Sequence, residues 1–369
     1  MKKIFWIAGE NSGDLHAADV LKKMNDDQFY HFGIGGPKMQ SQRLNSIFDF
    51  QRFAVMGFWE VVKHLKFFAQ VNKKIKNIFQ NENSKPDLVV LVDYPGLNMR
   101  IAKLAKRYKI PVLYYISPQF WAWKSKRIHQ LKKYTDHIAY ILPLEKDYFD
   151  KFHIPSTYVG HPIAEQIKLQ LSKNEFAEKF GLDFSKKWIG FFPGSRQNEV
   201  TKLLPEFHKT ISQLPYNKYE FIISRAHSLP KKYFPKNSKS HYLENYNYEI
   251  MKYSSFIVAK SGTTSLETAY IGTPFIIVYK TSFISYFLGK RLIKIDKIGL
   301  PNIMMQKKIV PELIQKKANS KYITAKIQEF LQNKEKYNQL KTDLQQIQQI
   351  MEKRSASQKT AEIIKEMLA

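Results

Sequence analysis

The chain of 369 residues contains no cysteine. That absence excludes a disulfide scaffold, a Cys-ligated zinc or iron–sulfur centre and a thiol nucleophile. No apolar stretch approaches the roughly 18 residues of a membrane-spanning helix. The ten histidines show no HExxH or comparable metal spacing. A GxxxxGK[ST] loop is missing too, so P-loop nucleotide hydrolysis is not indicated. Acidic side chains are scarce: 32 Asp+Glu stand against 59 Lys+Arg, a net charge of +27. Hydrophobic residues make up 44% of the chain, which argues against wholesale disorder. The length suits two domains better than one.

The basic excess is uneven. Residues 1–60 are neutral overall, residues 61–133 carry 16 basic and three acidic side chains, and residues 280–308 carry seven basic ones against Asp296 alone. Such clustering implies an anionic partner: nucleic acid, an anionic membrane surface or a phosphorylated substrate. The opening run Met1–Glu10 loosely mimics a signal peptide, but it is too short and is soon followed by Glu10 and Asp14, so it reads as a buried strand. The chain is therefore expected in the cytoplasm, with at most a surface attachment to membrane. Val55–Phe68 fits such an attachment. In helical spacing Phe58, Val62 and Leu65 share one face, flanked by Trp59 and Phe68, while Glu60, Lys63, His64 and Phe67 share another. Aromatics with flanking lysines make up an interfacial helix; an ordinary helix packed on a sheet has the same pattern.

Strand and helix signals alternate. Apolar runs at Lys3–Ala8, Leu88–Val92, Val112–Ile116 and Ile138–Leu142 predict parallel strands, with helices over Leu15–Met24 and Met99–Tyr108. A second series comes after a polar stretch near 165–187, with strands at Trp188–Phe192, Tyr219–Ile223, Phe256–Ala259 and Phe275–Tyr279 and a helix at Thr264–Tyr270. Two such series predict an α/β protein of two doubly wound, Rossmann-like domains facing a cleft, with ligands beyond the carboxyl ends of the strands. Near the C-terminus Tyr337, Leu340, Leu344, Ile347 and Met351 form an apolar seam that wants a partner helix, within the chain or in a second subunit.

Four motifs sit where strands give way to helices. Gly9-Glu10-Asn11-Ser12-Gly13-Asp14 has small residues that let backbone N–H groups approach an anion or sugar; Ser12 or Asp14 could equally cap the helix. Asp93 ends the strand Leu88–Val92, a position suited to a general base or to a helix cap. Pro193-Gly194-Ser195-Arg196 offers N–H groups and a guanidinium to a diphosphate, or is a turn with an exposed Arg. Ser261-Gly262-Thr263-Thr264 opens a helix towards phosphate, and Glu267 is placed to hold ribose hydroxyls unless it completes a capping box with Thr264. His161, between the two series, would line the cleft. The Trp121–Trp123 pair reads as core.

Taken in order, these segments resemble the lipid-A-disaccharide synthases, GT-B glycosyltransferases of Gram-negative bacteria. The resemblance runs from Gly9–Asp14 to Val310-Pro311-Glu312-Leu313. Between them lie Gly33–Pro37, Val55-Met56-Gly57, Ser117–Gln119 with Trp121–Trp123, Gly160-His161-Pro162, Pro193–Arg196, Ser261–Thr263 with Glu267, and Leu300–Ile303. It implies an acceptor domain over 1–170, a UDP-sugar domain over 180–335 and C-terminal helices over 336–369 that pack on the first domain or on a partner subunit. It implies transfer from UDP-2,3-diacylglucosamine to 2,3-diacylglucosamine 1-phosphate, giving a β-1,6-linked tetraacyl-disaccharide 1-phosphate and UDP, with no cofactor, metal or nucleic acid. Asp93 then becomes the expected base, with Glu10 the runner-up. Gly194, Ser195, Arg196, Ser261, Gly262, Thr263, Thr264, Glu267 and Asn302 are expected at UDP. Ser12, Gly13, Asp14, Asn98 and His161 are expected around the acceptor. Acylated substrates strengthen the membrane reading of Val55, Phe58, Trp59, Val62, Leu65 and Phe68 and put the enzyme on the inner face of the inner membrane, as a monomer or homodimer. A UDP-sugar 2-epimerase of the same architecture and a basic nucleic-acid-binding protein are the competing readings.

Overall fold

A computed structural model describes residues 1–24, 26–54, 65–118, 120–123, 126–227, 229–235, 239–281, 297–351 and 355–369. Val55, Phe58, Trp59 and Val62 lie outside these residues, as does most of the basic stretch 280–308. Leu65 is described by its backbone alone. The chain divides into two compact units, Met1–Ala164 with Lys353–Ala369, and Glu165–Glu352.

The first unit is built on a parallel sheet of seven strands: β1 (Lys2–Ala8), β2 (Phe29–Ile34), β3 (Asn45–Ser46), β4 (Leu88–Val92), β5 (Val112–Tyr115), β6 (His137–Tyr140) and β7 (Ser156–Tyr158), in the order β3-β2-β1-β4-β5-β6-β7. β1 and β4 are apolar on both faces because both faces are covered. Phe5, Ile7, Val89 and Leu91 join a layer containing Val71, Ile75 and Phe79 of the helix Leu65–Gln80 and Ile101, Ala102 and Ala105 of the helix Pro95–Arg107. Ile4, Trp6, Ala8, Leu88, Val90 and Val92 face the opposite layer, formed by Ala17, Val20 and Leu21 of the helix Asn11–Lys22 and by Ala361, Ile364 and Leu368 of the helix Ala356–Leu368. Each fully buried Val, Leu or Ile contributes about 1.5–3 kcal/mol of hydrophobic stabilisation.

The second unit repeats the scheme with six parallel strands: β8 (Lys187–Phe192), β9 (Tyr219–Ser224), β10 (His241–Leu243), β11 (Phe256–Lys260), β12 (Phe275–Tyr279) and β13 (Glu312–Ile314), ordered β10-β9-β8-β11-β12-β13. The helix Lys334–Met351 buries Leu340, Leu344, Ile347 and Met351 within this unit. Its Gln348 amide donates to the Tyr270 carbonyl and the Tyr337 hydroxyl to that of Ser255, 2.9 Å away. The apolar seam thus has its partner within the chain, and the helices of 336–369 divide between the two units.

Reversal of strand order places the carboxyl ends of β1 and β4, and of β8 and β11, side by side. All four strand-to-helix motifs leave from these ends. Five strands lie outside the apolar runs. β3, β7, β10 and β13 are only two or three residues long, too short to show periodicity. β2 reads Phe-Tyr-His-Phe-Gly-Ile, where His31 breaks the apolar run yet is buried as acceptor of the Trp6 indole N–H at 3.1 Å.

Candidate functional site

In the first unit the turn after β4 is strained. Asp93 and Tyr94 both have φ of 44°, a left-handed conformation that costs a non-glycine residue energy and persists where surrounding structure holds it. The clamp is Asn98, fully buried on the helix Pro95–Arg107. Its amide nitrogen donates to the carbonyls of Val92 at 3.1 Å and Asp93 at 2.7 Å, and the Tyr114 hydroxyl donates to the Asp93 carbonyl at 2.7 Å. Asn98, expected near the acceptor, is therefore a positioning residue for the Asp93 backbone. Burial, reinforced by the Glu10 carboxylate, pushes the Asp93 carboxyl up to about 7. Pro95 starts the next helix, and Asp93 precedes its N-cap residue Tyr94. The Tyr94 ring lies over Gly9, where a Cβ would come within 2.5 Å of the ring.

Glu10 is exposed and occupies the N-cap position of the helix Asn11–Lys22, with Ser12 also exposed and Gly13 buried in its first turn. Asp14 departs from expectation. Its carboxylate is buried and accepts the N–H groups of Gly36 at 2.7 Å, Lys38 at 3.1 Å and Met39 at 3.1 Å, so it anchors the Gly35-Gly36-Pro37 loop instead of facing a ligand. His161 is buried and accepts the N–H of Ile163 at Nδ1, 3.2 Å away, which leaves the proton of the neutral ring on Nε2. Burial and the neighbouring His16 hold His161 down at about 3, and burial holds His16 at about 4, so both rings are neutral at physiological pH. Glu145 stands outside the motifs read from the sequence. It comes after the end of β6, is buried, accepts the Ser117 hydroxyl and the Leu142 N–H, and is pushed up to about 7 by burial. The signal that singles out Asp93, a carboxylate just beyond a buried strand, applies to it as well.

The second unit gathers Gly194, Ser195, Arg196, Gly262, Thr263 and Thr264 around a cavity of about 330 Å³. Gly194 has φ of 109°, and a Cβ there would lie 2.3 Å from Glu199 Oε2, so glycine is required by backbone and by space. Glu199 explains the turn's shape: Oε2 accepts the N–H groups of Ser195 at 3.2 Å and Arg196 at 3.3 Å, while Oε1 is 2.7 Å from Lys260 Nζ and 3.8 Å from the Arg196 guanidinium. Arg196 itself projects into solvent, with 83% of its side chain exposed. Glu199 and Lys260 are additions to the residues expected here, although a Glu three residues after a helix cap is a readable capping signal.

Gly262, at φ of 146°, is the N-cap of the helix Thr263–Ile271. The capping-box alternative for Thr264 and Glu267 is thereby removed, since the third helical position is Ser265 and Glu267 falls two residues later. Thr263 and Thr264 open the helix, and their N–H groups have no acceptor within it. Glu267 accepts the Tyr248 hydroxyl at 3.4 Å and is pushed up to about 7 by burial. Ser261 donates its hydroxyl to the Ile298 carbonyl at 2.9 Å. Asn302 is wholly buried: its amide donates to the Val310 carbonyl and to Glu312 Oε1, both at 2.8 Å, and its oxygen accepts the N–H groups of Ile309 and Val310. With every valence used internally, Asn302 clasps the loop beside the Ser261–Thr264 turn and is not a ligand for donor sugar or phosphate.

Comparison with known proteins adds a lineage to this geometry. The family model described as lipid-A-disaccharide synthetase matches residues 4–367. The chain is 35% identical over 376 residues to a lipid-A-disaccharide synthase of Geobacter metallireducens, covering 100% of this chain and 97% of that protein. It is 37% identical to one of Trichlorobacter lovleyi, covering 91% and 90%. Among solved structures it is similar to UDP-GlcNAc 2-epimerase from Neisseria meningitidis bound to UDP-GlcNAc, with a TM-score of 0.66, 14% identity and coverage of 99% and 100%. It is also similar to the glycotransferase of kitacinnamycin, with a TM-score of 0.67, 11% identity and coverage of 100% and 99%. At those identities the structural likeness establishes the fold, GT-B with two Rossmann-like units.

Proposed function

The chain belongs to the lipid-A-disaccharide synthase family, a glycosyltransferase that forms the lipid A disaccharide, and on that premise we propose how its two sites divide the reaction. The donor is UDP-2,3-diacylglucosamine and the acceptor 2,3-diacylglucosamine 1-phosphate. Asp93 removes the proton from the acceptor 6-hydroxyl as that oxygen attacks the donor anomeric carbon. The bond from that carbon to the diphosphate oxygen breaks, and its electron pair leaves with UDP. The product is the β-1,6-linked tetraacyl-disaccharide 1-phosphate, formed with inversion.

The observation that carries this reading is the Asp93 carboxyl itself. It stands at the end of a central strand, on a strained and clamped turn, with its proton affinity raised by burial to about 7. A base whose proton affinity lies near neutrality is matched to taking a proton there. In the second unit Arg196, Lys260 and the N–H groups of Thr263 and Thr264 meet the negative charge of the departing diphosphate, and Glu267 receives the ribose hydroxyls. A fixed cation and a helix start supply the leaving-group stabilisation.

We place the reaction at an anionic membrane surface. No helix among the described residues is long and apolar enough to cross a membrane. Support comes from the half-buried Phe68 beside the exposed Arg100, Lys103 and Arg107, which line one cavity with it. Phe67, assigned to the polar face of the 55–68 pattern, is instead buried beneath the Arg52 guanidinium. Loss of vesicle binding on replacing Phe58, Trp59 and Phe68 with Ser supports surface attachment; undiminished binding removes it.

The reading is tested by incubating the protein with both acylated substrates and identifying the product by mass spectrometry. Soluble UDP-N-acetylglucosamine is supplied in parallel. Its conversion to the 2-epimer, with no disaccharide formed, would establish the epimerase alternative.

A further inference from the structure

The first unit holds a cavity of about 200 Å³ at the carboxyl ends of β4, β5 and β6. Asp93 forms one part of its wall, and Ile116, Ser117, Leu142 and Glu145 form others. Arg127 also lines it and is the one cation among the described residues to do so. Two carboxyl groups and one guanidinium thus share a small space.

Both carboxyl groups have engagements of their own. Glu145 is held by its own wall, accepting the Ser117 hydroxyl and the Leu142 N–H. Asp93 is carried by a turn whose carbonyl accepts Tyr114 and Asn98. Burial leaves both carboxyls titrating near 7, so near neutrality neither presents a full negative charge to a bound anion. Arg127 is half-buried, opens the helix Arg127–Tyr134 and lies close enough to Tyr114 for its charge to act on the phenol. Its guanidinium is a planar fork of N–H donors, a shape that matches two oxygens of a phosphate.

We propose that this cavity receives the phosphorylated end of the acceptor headgroup, with Arg127 binding the phosphate monoester while Asp93 faces the reacting hydroxyl. The inference rests on the acceptor assignment above and makes Arg127 the residue that selects a phosphorylated acceptor. A single cation in a low-dielectric pocket gives strong preference for a charged headgroup over its dephosphorylated form. The space matches a sugar headgroup, and the acyl chains remain outside it.

Two measurements test it. The first compares turnover of 2,3-diacylglucosamine 1-phosphate with that of 2,3-diacylglucosamine by the wild type, Arg127→Gln and Arg127→Lys. The wild type should prefer the phosphorylated acceptor, Arg127→Gln should raise KM for that acceptor about 10- to 100-fold and erase the preference, and Arg127→Lys should recover part of it. UDP affinity should stay unchanged in all three. Equal loss on both acceptors, or a preference that survives Arg127→Gln, overturns the proposal. The second needs no turnover: calorimetric titration with glucosamine 1-phosphate. Binding by the wild type that Arg127→Gln abolishes, with unchanged thermal stability, supports the site; equal binding by both, or by neither, contradicts it. A wild type that binds this headgroup yet transfers to neither acceptor would instead indict the catalytic reading.

Discussion

The two units solve opposite electrostatic problems with the same architecture. In the first, the strand ends present carboxyl groups, Asp93 and Glu145, withdrawn from water until they titrate near 7. In the second, they present N–H groups and cations, with Arg196 left in solvent and Lys260 held by Glu199. In the proposed division of the reaction, one set of strand ends takes a proton and the other receives negative charge. Burial creates the first property, and helix starts with fixed cations create the second. The difference shows that a common fold fixes where a site lies, while the side chains beyond each strand decide its chemistry.

The sharpest way to break this contrast is Asp93→Asn. It should lower kcat by about 10²- to 10⁴-fold while UDP affinity stays at the wild-type value. Arg196→Ala should do the reverse in the other unit, weakening UDP binding by about 10- to 100-fold, as measured by calorimetry, with the Asp93 ionisation still visible in the rate profile. Asn302→Ala should destabilise the protein by about 1–3 kcal/mol, because it strands the N–H groups of Ile309 and Val310 and a donor-deprived Glu312; a denaturation midpoint equal to that of the wild type would return Asn302 to a ligand role.

The pH dependence supplies the finer test. A base must be ionised to act, so kcat should rise with pH through about 7. Stability should move the other way. The folded protein holds the Asp93 and Glu145 protons up to about 7, whereas the unfolded chain releases them near 4, so stability falls as pH climbs through that interval. Glu10→Gln removes a like charge from Asp93 and should shift the rate profile to lower pH without abolishing activity. Abolition would make Glu10 the base.

The positions of the two sites are legible in the sequence because buried parallel strands are near-continuous apolar runs, and a polar or small residue just beyond such a run is conspicuous. Leu88–Val92 announces Asp93, and Phe256–Ala259 announces the Ser261–Thr264 turn, within one residue of the observed ends. The work a polar side chain does once there is less legible. Asp14 and Asn302 belong to the motifs, yet each spends its hydrogen bonds on a loop that only the tertiary fold brings near. Phe67 departs from its expected face because the helix Leu65–Gln80 turns Phe67, Val71, Ile75 and Phe79 to the core at spacings of four, a stripe that the pattern of 55–68 alone does not contain. Arg127, and the sharing of one cavity by Glu145 and Asp93, stay hidden because no spacing in sequence links residues that three strands and their connections hold together.

The most direct test of the central claim is the pre-steady-state rate of disaccharide formation by Asp93→Asn, with both acylated substrates saturating and UDP affinity measured on the same preparation. Loss of about 10²-fold or more, with UDP affinity intact, is the expected result. A near-wild-type rate with UDP affinity intact would contradict Asp93 as the base.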